Sequence, residues 1–458
     1  MNFRVLLPLL AASLAAGCVS YHPRPISAAS SAWAIEGRTL ADAGLRKFLS
    51  GESPRSWNLT SLTSAALYFH PELQVARARW QTAEAAVITA GARPNPTLGW
   101  SPTFATDSAP GISPWTLGFT LDVPIETAGK RGHRIAQAQA LTNAARLNVA
   151  SSAWRIRATV RKALVDVYAA TLSRDILTTQ QAAQTQNVEL LEQRLQAGDI
   201  SVPQVSLARV TAAQAALLLR DAEKLGAEGR ARLATAMGLP ASALAGVEFS
   251  FRGLDRLPAP DVRALRRGAL LHRSDVLAAL AQYAAADAAL RQEIAKQYPD
   301  LHLNPGYAWD QGEDKFTLGL SLTLPVLNQN RGPIAEAVAK RREAAASFTA
   351  MQAKVIGEID QALASYRGAR RKLDTADALL ATQRKREQAA EASFKAGATD
   401  RLELLQTQLE LTNGELSRAG AFIEAQTAIG QLEEALQHPV GAAADSARLI
   451  RLINDSAK

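Results

Sequence analysis

The side chains that could catalyse a reaction or hold a metal ion are few and scattered along this sequence. The six histidines include no pair at the spacing of a metal site: His22, His70, His133, His272, His302 and His438. Beyond them the chain has three methionines and one cysteine, and no phosphate-binding or dinucleotide fingerprint precedes a strand–helix–strand unit. We therefore predict no catalytic residue, no cofactor and no tightly held metal, and hence a protein that is not an enzyme.

Acidic side chains beside two glycines are the best candidates for a functional role. Asp199 directly follows Gly198, while Asp400 and Glu403 follow Gly397. If several copies of the chain surrounded a pore, each carboxylate would be repeated as a ring, and charged rings select cations. The alternative is that these carboxylates only cap a helix or lie in its first turn, which favours the helix by ~0.3–1 kcal/mol. We therefore name Asp199, Asp400 and Glu403 as a candidate gate, and the sequence leaves both interpretations open.

The elements that must position these residues occur twice. Segment 116–121 matches segment 317–322, and Ala197-Gly198 matches Ala396-Gly397, in the same order along the chain. Each copy is predicted to contain a helical segment, two short strands, a very long helix and a shorter helix. The predicted bounds are 61–91, 97–105, 115–124, 131–196 and 201–237 in repeat 1 (61–237), and 262–297, 300–309, 316–325, 332–395 and 400–437 in repeat 2 (262–437). Glycine and proline mark a connector at 238–261, and a tail follows at 438–458.

The predicted strands alternate between apolar and polar residues. Leu117, Phe119 and Leu121 would share one face, and Thr116 and Thr120 the other. Each strand is about long enough to cross a bilayer when tilted, and aromatic residues cluster near the strand ends, as in membrane interfaces: Trp100, Trp115, Tyr307, Trp309 and Phe316. Four strands cannot close a barrel, and open edges are not tolerated in lipid. The chain is therefore expected to oligomerise.

The long helices carry a coiled-coil pattern. The apolar positions at 356, 359, 363, 366, 373 and 380 follow heptad-like spacing. A helix of ~64 residues would be about 95 Å long at 1.5 Å per residue, far longer than a globular domain. The basic runs 370–372 and 384–386 lie inside these helical patterns, and the net charge is only +8. We interpret them as solvated helix faces, and no nucleic-acid partner is expected.

The first residues resemble a bacterial lipoprotein signal. Arg4 precedes the apolar stretch 5–12, and small residues lead to Cys18, the only cysteine. Residues 1–17 are predicted to be a signal peptide, Cys18 the lipidated first mature residue, and 18–60 a lipid-anchored segment. By the same resemblance, Val19 after the cysteine favours sorting to the outer membrane. No later run of 18 uncharged apolar residues occurs, so no membrane-spanning helix is expected.

Residues 60–437 resemble the TolC-like outer-membrane factor family. The resemblance rests on the duplicated plan and on a tip motif, with Arg194, Leu195 and Gly198 in the first copy and a degenerate form ending at Gly397 in the second. The segments 123–131 and 324–332 are closest to CzcC-type heavy-metal efflux members. A direct role in strand-to-helix turns is the simpler interpretation of these segments.

The resemblance implies a mainly helical homotrimer. Its three chains would build one 12-stranded β-barrel, four strands from each, above a long α-helical tunnel. The expected partners are a periplasmic adaptor protein docking at the tips, an inner-membrane proton-driven pump and outer-membrane lipid. The implied function is passive efflux, with heavy-metal cations as cargo. The alternatives are export of drugs or small organic molecules by the same channel, or a periplasmic coiled-coil scaffold without a pore.

Overall fold

The structure is a computed structural model that describes residues 20–49, 54–258 and 262–440. Cys18, the predicted signal peptide and tail residues 441–458 lie outside the described residues. Two short helices come first, α1 (Ala28–Glu36) and α2 (Ala43–Phe48). The first repeat contains α3 (Leu59–Phe69), α4 (Pro71–Gly91), β1 (Thr97–Phe104), β2 (Trp115–Ile125), α5 (Lys130–Gln196) and α6 (Val202–Met237). The second contains α7 (Val262–His272), α8 (Ser274–Ala295), β3 (Leu301–Asp310), β4 (Glu313–Leu322), α9 (Arg331–Lys395) and α10 (Arg401–Leu436).

Each element of the first repeat has a counterpart in the second, so the duplication and the mainly helical fold are confirmed. The first helical segment of each copy is divided into two helices, where the sequence predicted one. His70 takes an extended conformation before Pro71, as residues preceding proline prefer, and the first helix ends there. In the second copy Arg273 is extended and separates α7 from α8.

At each of these breaks an arginine binds carbonyl groups that a helix end leaves free. Arg38 donates from Nη1 to the carbonyls of Phe69 and Gly238, at 3.0 and 2.9 Å. Arg273 donates from Nη1 to the carbonyl of Ala435 at 2.5 Å. The start of α4 lies beside the end of α6, and the start of α8 beside the end of α10. We call this level of each repeat, where one helix ends and another begins, the waist.

The long helix α5 is the centre of the packing. It contacts α4 and α8 along one half, and α6 and α10 along the other. The helix α9 contacts α8 and α10 in the same way. The predicted seam is confirmed at the heptad-spaced residues Ile359, Tyr366, Leu373 and Leu380, which are buried. Two residues of the same seam are less buried: Leu363 is half-buried and Ile356 is 36% exposed. Many core positions are alanine, which lets helix backbones approach closely.

The four strands form one antiparallel sheet in the order β1-β2-β3-β4. The register places Leu117 opposite Trp309, Phe119 opposite Tyr307 and Leu303 opposite Leu320. Because side chains alternate along a strand, these apolar residues share one face of the sheet and the polar residues share the other. The predicted alternation is therefore confirmed across all four strands. The outer edges of β1 and β4 have no partner strand within the described chain.

The fourth strand begins and ends three residues earlier than its predicted bounds of 316–325. Gln311 and Gly312 both have positive φ (53° and 97°) and form a two-residue turn, so Asp310 pairs directly with Glu313. Such a turn matches the twist of the flanking strands and sets their register. As a result Leu324, which the alternation placed on the strand, lies beyond its end.

Helix α6 is apolar on two opposite faces. By length and composition it is the one helix among the described residues that could cross a membrane. It contains no uncharged run of 18 residues, because Arg209, Arg220 and their charged neighbours interrupt it. Val205 and Leu219 are buried on one face, yet Leu217 and Leu218 on the other are more than half exposed.

Candidate functional site

The two helical tips, defined here as residues 194–204 and 393–404, reverse the chain by the same device. Gly198 and Gly397 have φ of +83° and +74°, a left-handed conformation that glycine adopts without steric cost. The amide of Asp199 then donates to the carbonyl of Arg194 at 2.9 Å, and the amide of Ala398 donates to that of Ser393 at 2.9 Å. A Cβ at either glycine would meet no atom within 4 Å. Glycine is therefore favoured at these positions because of the positive φ, and not because a larger side chain would clash.

An ion pair joins the two tips within one chain. Arg194 Nη2 lies 2.5 Å from Asp400 Oδ2, although the residues are 206 positions apart. From the sequence, the cation beside the carboxylates of the second tip could be Arg401 or a basic residue of the neighbouring tip. The structure pairs Asp400 with Arg194 of the other tip. Arg401 lies over the ring of Phe394, 5.7 Å from its centroid, and reaches Gln186 Oε1 at 3.4 Å.

Asp400 is also the N-cap of α10. Its Oδ1 accepts from the amide of Glu403 at 2.8 Å, so the predicted capping role is present. The hydrogen bond from the Glu403 amide, together with that from Arg194, holds the pKa of the Asp400 carboxyl below its ordinary value. The carboxyl stays ionised at neutral pH and keeps its charge at the tip.

The other acidic candidates are free. Asp199 and Glu403 are exposed, and their carboxylates form no ion pair with the described residues of this chain. Glu403 lies in the first turn of α10, as predicted. Within one chain the structure therefore brings together Arg194 and Asp400 but leaves Asp199 and Glu403 open to solvent or to another copy. Leu195, in the same tip motif, is half-buried.

The residues after β2 connect the sheet to the helices through ion pairs and hydrogen bonds. Glu126 accepts two hydrogen bonds from Arg134, at 2.6 and 3.1 Å. Lys130 Nζ lies 2.8 Å from Asp300 Oδ1, which also accepts from the amide of Thr127 at 2.9 Å. Segment 123–131 therefore forms a strand-to-helix turn, as interpreted from the sequence. Most of its side-chain contacts are with the second repeat or with helix α4.

The equivalent turn after β4 uses Asn330. Its φ is +57°, and it precedes α9 without a side-chain cap. Its amide nitrogen Nδ2 donates to the carbonyl and to Oε2 of Glu293, at 2.7 and 3.0 Å. Both junctions thus begin a long helix from a left-handed residue, Gly129 in one and Asn330 in the other.

The polar face of the sheet carries one histidine–carboxylate pair. His302 Nδ1 lies 3.0 Å from Asp122 Oδ1, near the helical end of the strands. No group of three or more histidine, cysteine or acidic side chains within the described ranges could hold a metal ion.

Two further contacts could not be found from sequence patterns. Arg157 and Arg161 of α5 are buried and share the carboxylate of Glu433 on α10. The only sequence signal was an arginine pair four residues apart on an otherwise apolar helix face. The Arg194–Asp400 pair had a weaker sequence signal, namely a basic residue at the first tip and an acidic residue at the second.

Comparison with known proteins identifies both repeats. The family model described as "Outer membrane efflux protein" matches residues 62–239 and 265–442. Among curated proteins, the cobalt-zinc-cadmium resistance protein CzcC of Cupriavidus metallidurans is 24% identical over 353 residues, which cover 76% of this chain and 82% of that protein.

Solved structures of similar fold cover 82–96% of the chain. The outer membrane protein VceC from Vibrio cholerae has a TM-score of 0.67 at 22% identity, covering 82% of this chain and 95% of that one. The Campylobacter jejuni outer membrane channel CmeC has a TM-score of 0.68 at 14% identity, covering 96% and 94%. CusC has a TM-score of 0.66 at 17% identity, covering 91% and 98%. At these identities the likeness establishes the fold.

Proposed function

Because the chain belongs to the outer membrane efflux protein family, we propose that it is the passive outer-membrane duct of a tripartite efflux pump. In this proposal the chain moves solutes from the periplasm to the exterior and catalyses no reaction. The energy comes from an inner-membrane proton-driven pump, reached through a periplasmic adaptor protein.

The observation that carries this proposal is that the exposed face of α6 and the outer edges of the sheet have no partner within the described chain. Helix α10 of the second repeat packs on α5 of the first. By the internal repeat, α6 should pack on α9 in the same way, but within the described chain these two helices do not. The exposed apolar face of α6, with Leu207, Leu217 and Leu218, is therefore suited to α9 of a second copy.

The sheet supports the same conclusion. The free edges of β1 and β4 would be costly in lipid, and pairing β4 with β1 of the next copy removes both. A ring closed in this way has a barrel and a helical tunnel on one axis. Three copies give 12 strands, and we infer a homotrimer from this count and from the family resemblance.

We infer heavy-metal cations as the cargo. CzcC is a cobalt-zinc-cadmium resistance protein by name, and the junction segments 123–131 and 324–332 have the CzcC-type form. Drugs or small organic molecules are the alternative cargo for the same duct. A scaffold without a pore is less favoured, because it would not need the exposed apolar face of the sheet, where Leu318 and Phe316 are 76% and 82% exposed.

The tips are the proposed docking site of the adaptor. Arg194, Leu195 and Gly198 form the first tip motif, and Gly397 marks the second. Arg194 is already paired with Asp400, so an adaptor that binds this arginine would compete with the ion pair between the two tips.

Conductance and metal resistance together test the function. The purified protein in a planar bilayer is expected to show discrete single-channel currents, and a strain lacking it should become sensitive to Co²⁺, Zn²⁺ and Cd²⁺. Absence of any channel activity in an intact trimer would favour the scaffold. Sensitivity to dyes or antibiotics but not to metals would favour the alternative cargo.

The tip carboxylates are predicted to set cation selectivity. Glu403→Gln combined with Asp400→Asn should move the reversal potential in a salt gradient towards zero, since converging carboxylates attract cations. The matched control is Arg194→Gln, which breaks the same ion pair but leaves the carboxylates, and should retain or raise the preference for cations. If the double variant kept the wild-type selectivity, Asp400 and Glu403 would act only as helix-terminus residues, and Asp199 would remain as the candidate gate.

Cys18 is predicted to carry the lipid anchor. Metabolic labelling with a palmitate analogue should mark the wild-type protein and leave Cys18→Ser unlabelled. Equal labelling of the two proteins would contradict the lipoprotein assignment. The barrel should still insert without the anchor, so efflux is expected to survive the change.

A further inference from the structure

A cavity of about 440 Å³ lies beside the connector between the two repeats. Its wall is formed by the start of α3, by α5 and α10, and by connector residues 252–258. We call it the connector cavity. The ionisable side chains of its wall are four arginines and two carboxylates: Arg157, Arg161, Arg252, Arg256, Asp255 and Glu433. Positive charge is therefore in excess.

Part of this excess positive charge comes from two buried arginines that share one carboxylate. Arg157 Nη2 and Arg161 Nε lie 2.9 and 3.1 Å from Glu433 Oε2. Both arginines are only 4% exposed. Burial lowers the pKa of Arg161, and although Glu433 opposes this shift, the charge of Arg157 adds to it. Two buried cations with one anion leave a charge that an additional anion would compensate.

One hydrogen-bond donor of an arginine that lines this cavity has no partner among the described residues. Arg161 is occupied, since its Nη1 and Nη2 donate to the carbonyl and Oε1 of Gln426 at 2.6 and 2.9 Å. In contrast, Arg157 Nε is buried without a hydrogen-bond partner among the described residues. A buried donor left unpaired costs about 1–3 kcal/mol, so a partner at this position would be stabilising.

The mouth of the cavity adds two further guanidinium groups. Arg252 and Arg256 are exposed, and neither forms an ion pair with the described residues. Among the described residues at this mouth, the opposing group is the carboxylate of Asp255, which already accepts a hydrogen bond from the amide of Gly253 at 2.9 Å. Asn58 and Thr60 at the start of α3 complete the wall, and the N-terminal end of a helix favours anions.

We propose that the connector cavity binds a small oxyanion, a phosphate or carboxylate group, between Arg157, Arg252 and Arg256. Planar guanidinium groups bind such oxygens through paired, charge-assisted hydrogen bonds. The cavity is larger than a single phosphate ion, so the group can belong to a larger solute. A bound oxyanion would tie the connector to α5 and so brace the waist of the chain. None of the residues that line this cavity belongs to the two tips.

Calorimetric titration of the purified full-length protein tests the proposal. Sodium phosphate and sodium acetate are the two probes, each against sodium chloride at equal ionic strength. Saturable binding of one or both is expected, together with a higher midpoint of thermal unfolding. Comparison of the two probes decides between a phosphate and a carboxylate ligand. Arg252→Gln with Arg256→Gln should weaken binding at least tenfold without changing the midpoint in chloride, because both side chains are exposed.

The matched control is Arg342→Gln with Arg371→Gln, which removes the same charge from exposed positions outside the cavity. It should bind like the wild type. The proposal is overturned if neither probe binds saturably, if chloride raises the midpoint as much as the probes, or if the control weakens binding as strongly as the cavity variant.

Discussion

Leu320→Arg is expected to prevent assembly of the barrel. Leu320 is 64% exposed on the apolar face of β4, opposite Leu303 of β3. In the proposed barrel this face meets lipid, where an arginine at the bilayer midplane costs about 2–4 kcal/mol. The cost is incurred by each copy of the chain. Native mass spectrometry in detergent should show trimer for the wild type and mainly monomer for the variant, and the variant should be depleted from the outer-membrane fraction.

The neighbouring residue is a matched control. Ser321 follows Leu320 on the same strand, and its side chain lies on the polar face, where Asn304 Nδ2 donates to its Oγ at 3.0 Å. Ser321→Arg should therefore assemble and insert, at the loss of one exposed hydrogen bond. If both arginine variants assembled equally well, the apolar face would not be the lipid-facing one, and the scaffold interpretation would gain support.

Removal of the Glu433 charge is expected to produce a large loss of stability in the helical part. Glu433→Gln leaves Arg157 and Arg161 buried without their shared carboxylate, and breaking a buried pair in this way typically costs about 3–5 kcal/mol. Glu433 also accepts from the amide of Val440 at 2.8 Å. The side-chain oxygen of a glutamine can still accept this hydrogen bond, so the expected loss comes from removal of the negative charge. Thermal unfolding followed by circular dichroism measures the effect.

The control for this exchange is the next residue. Glu434 is exposed and forms no ion pair in the described part of the chain, so Glu434→Gln should leave stability within about 0.5 kcal/mol of the wild type. A loss of equal size in the two variants would mean that the buried cluster contributes nothing specific.

The effect of Glu433 should depend on pH in a defined direction. Burial raises the pKa of this carboxyl, but the charges of Arg157 and Arg161 outweigh burial and hold the pKa below its ordinary value. A carboxyl with a lowered pKa stabilises the folded state above its ordinary pKa, and this contribution is lost as pH falls through the folded pKa. The stability difference between wild type and Glu433→Gln should therefore be full at neutral pH and shrink in acid.

Periodicity along the chain was sufficient to predict most of the architecture. Alternation of Leu117, Phe119 and Leu121 depends only on the geometry of a strand, and the heptad from Ile359 to Leu380 depends only on that of a helix. Such a regular spacing can be recognised in the sequence without knowing which residues are in contact in the fold. For this reason the sequence by itself predicted the duplication, the faces of the strands, the long helices and the two glycine turns.

Only the tertiary structure decided which residues meet across those elements. A periodic pattern defines a face but not the residue opposite it. Arg194 therefore could not be assigned to Asp400, 206 positions away, nor Arg157 to Glu433, 276 positions away. The start of β4 depended on the positive φ of Gln311, which its residue type does not favour. Such contacts follow from how α5, α9 and α10 are placed relative to one another, and that placement results from packing over the whole chain.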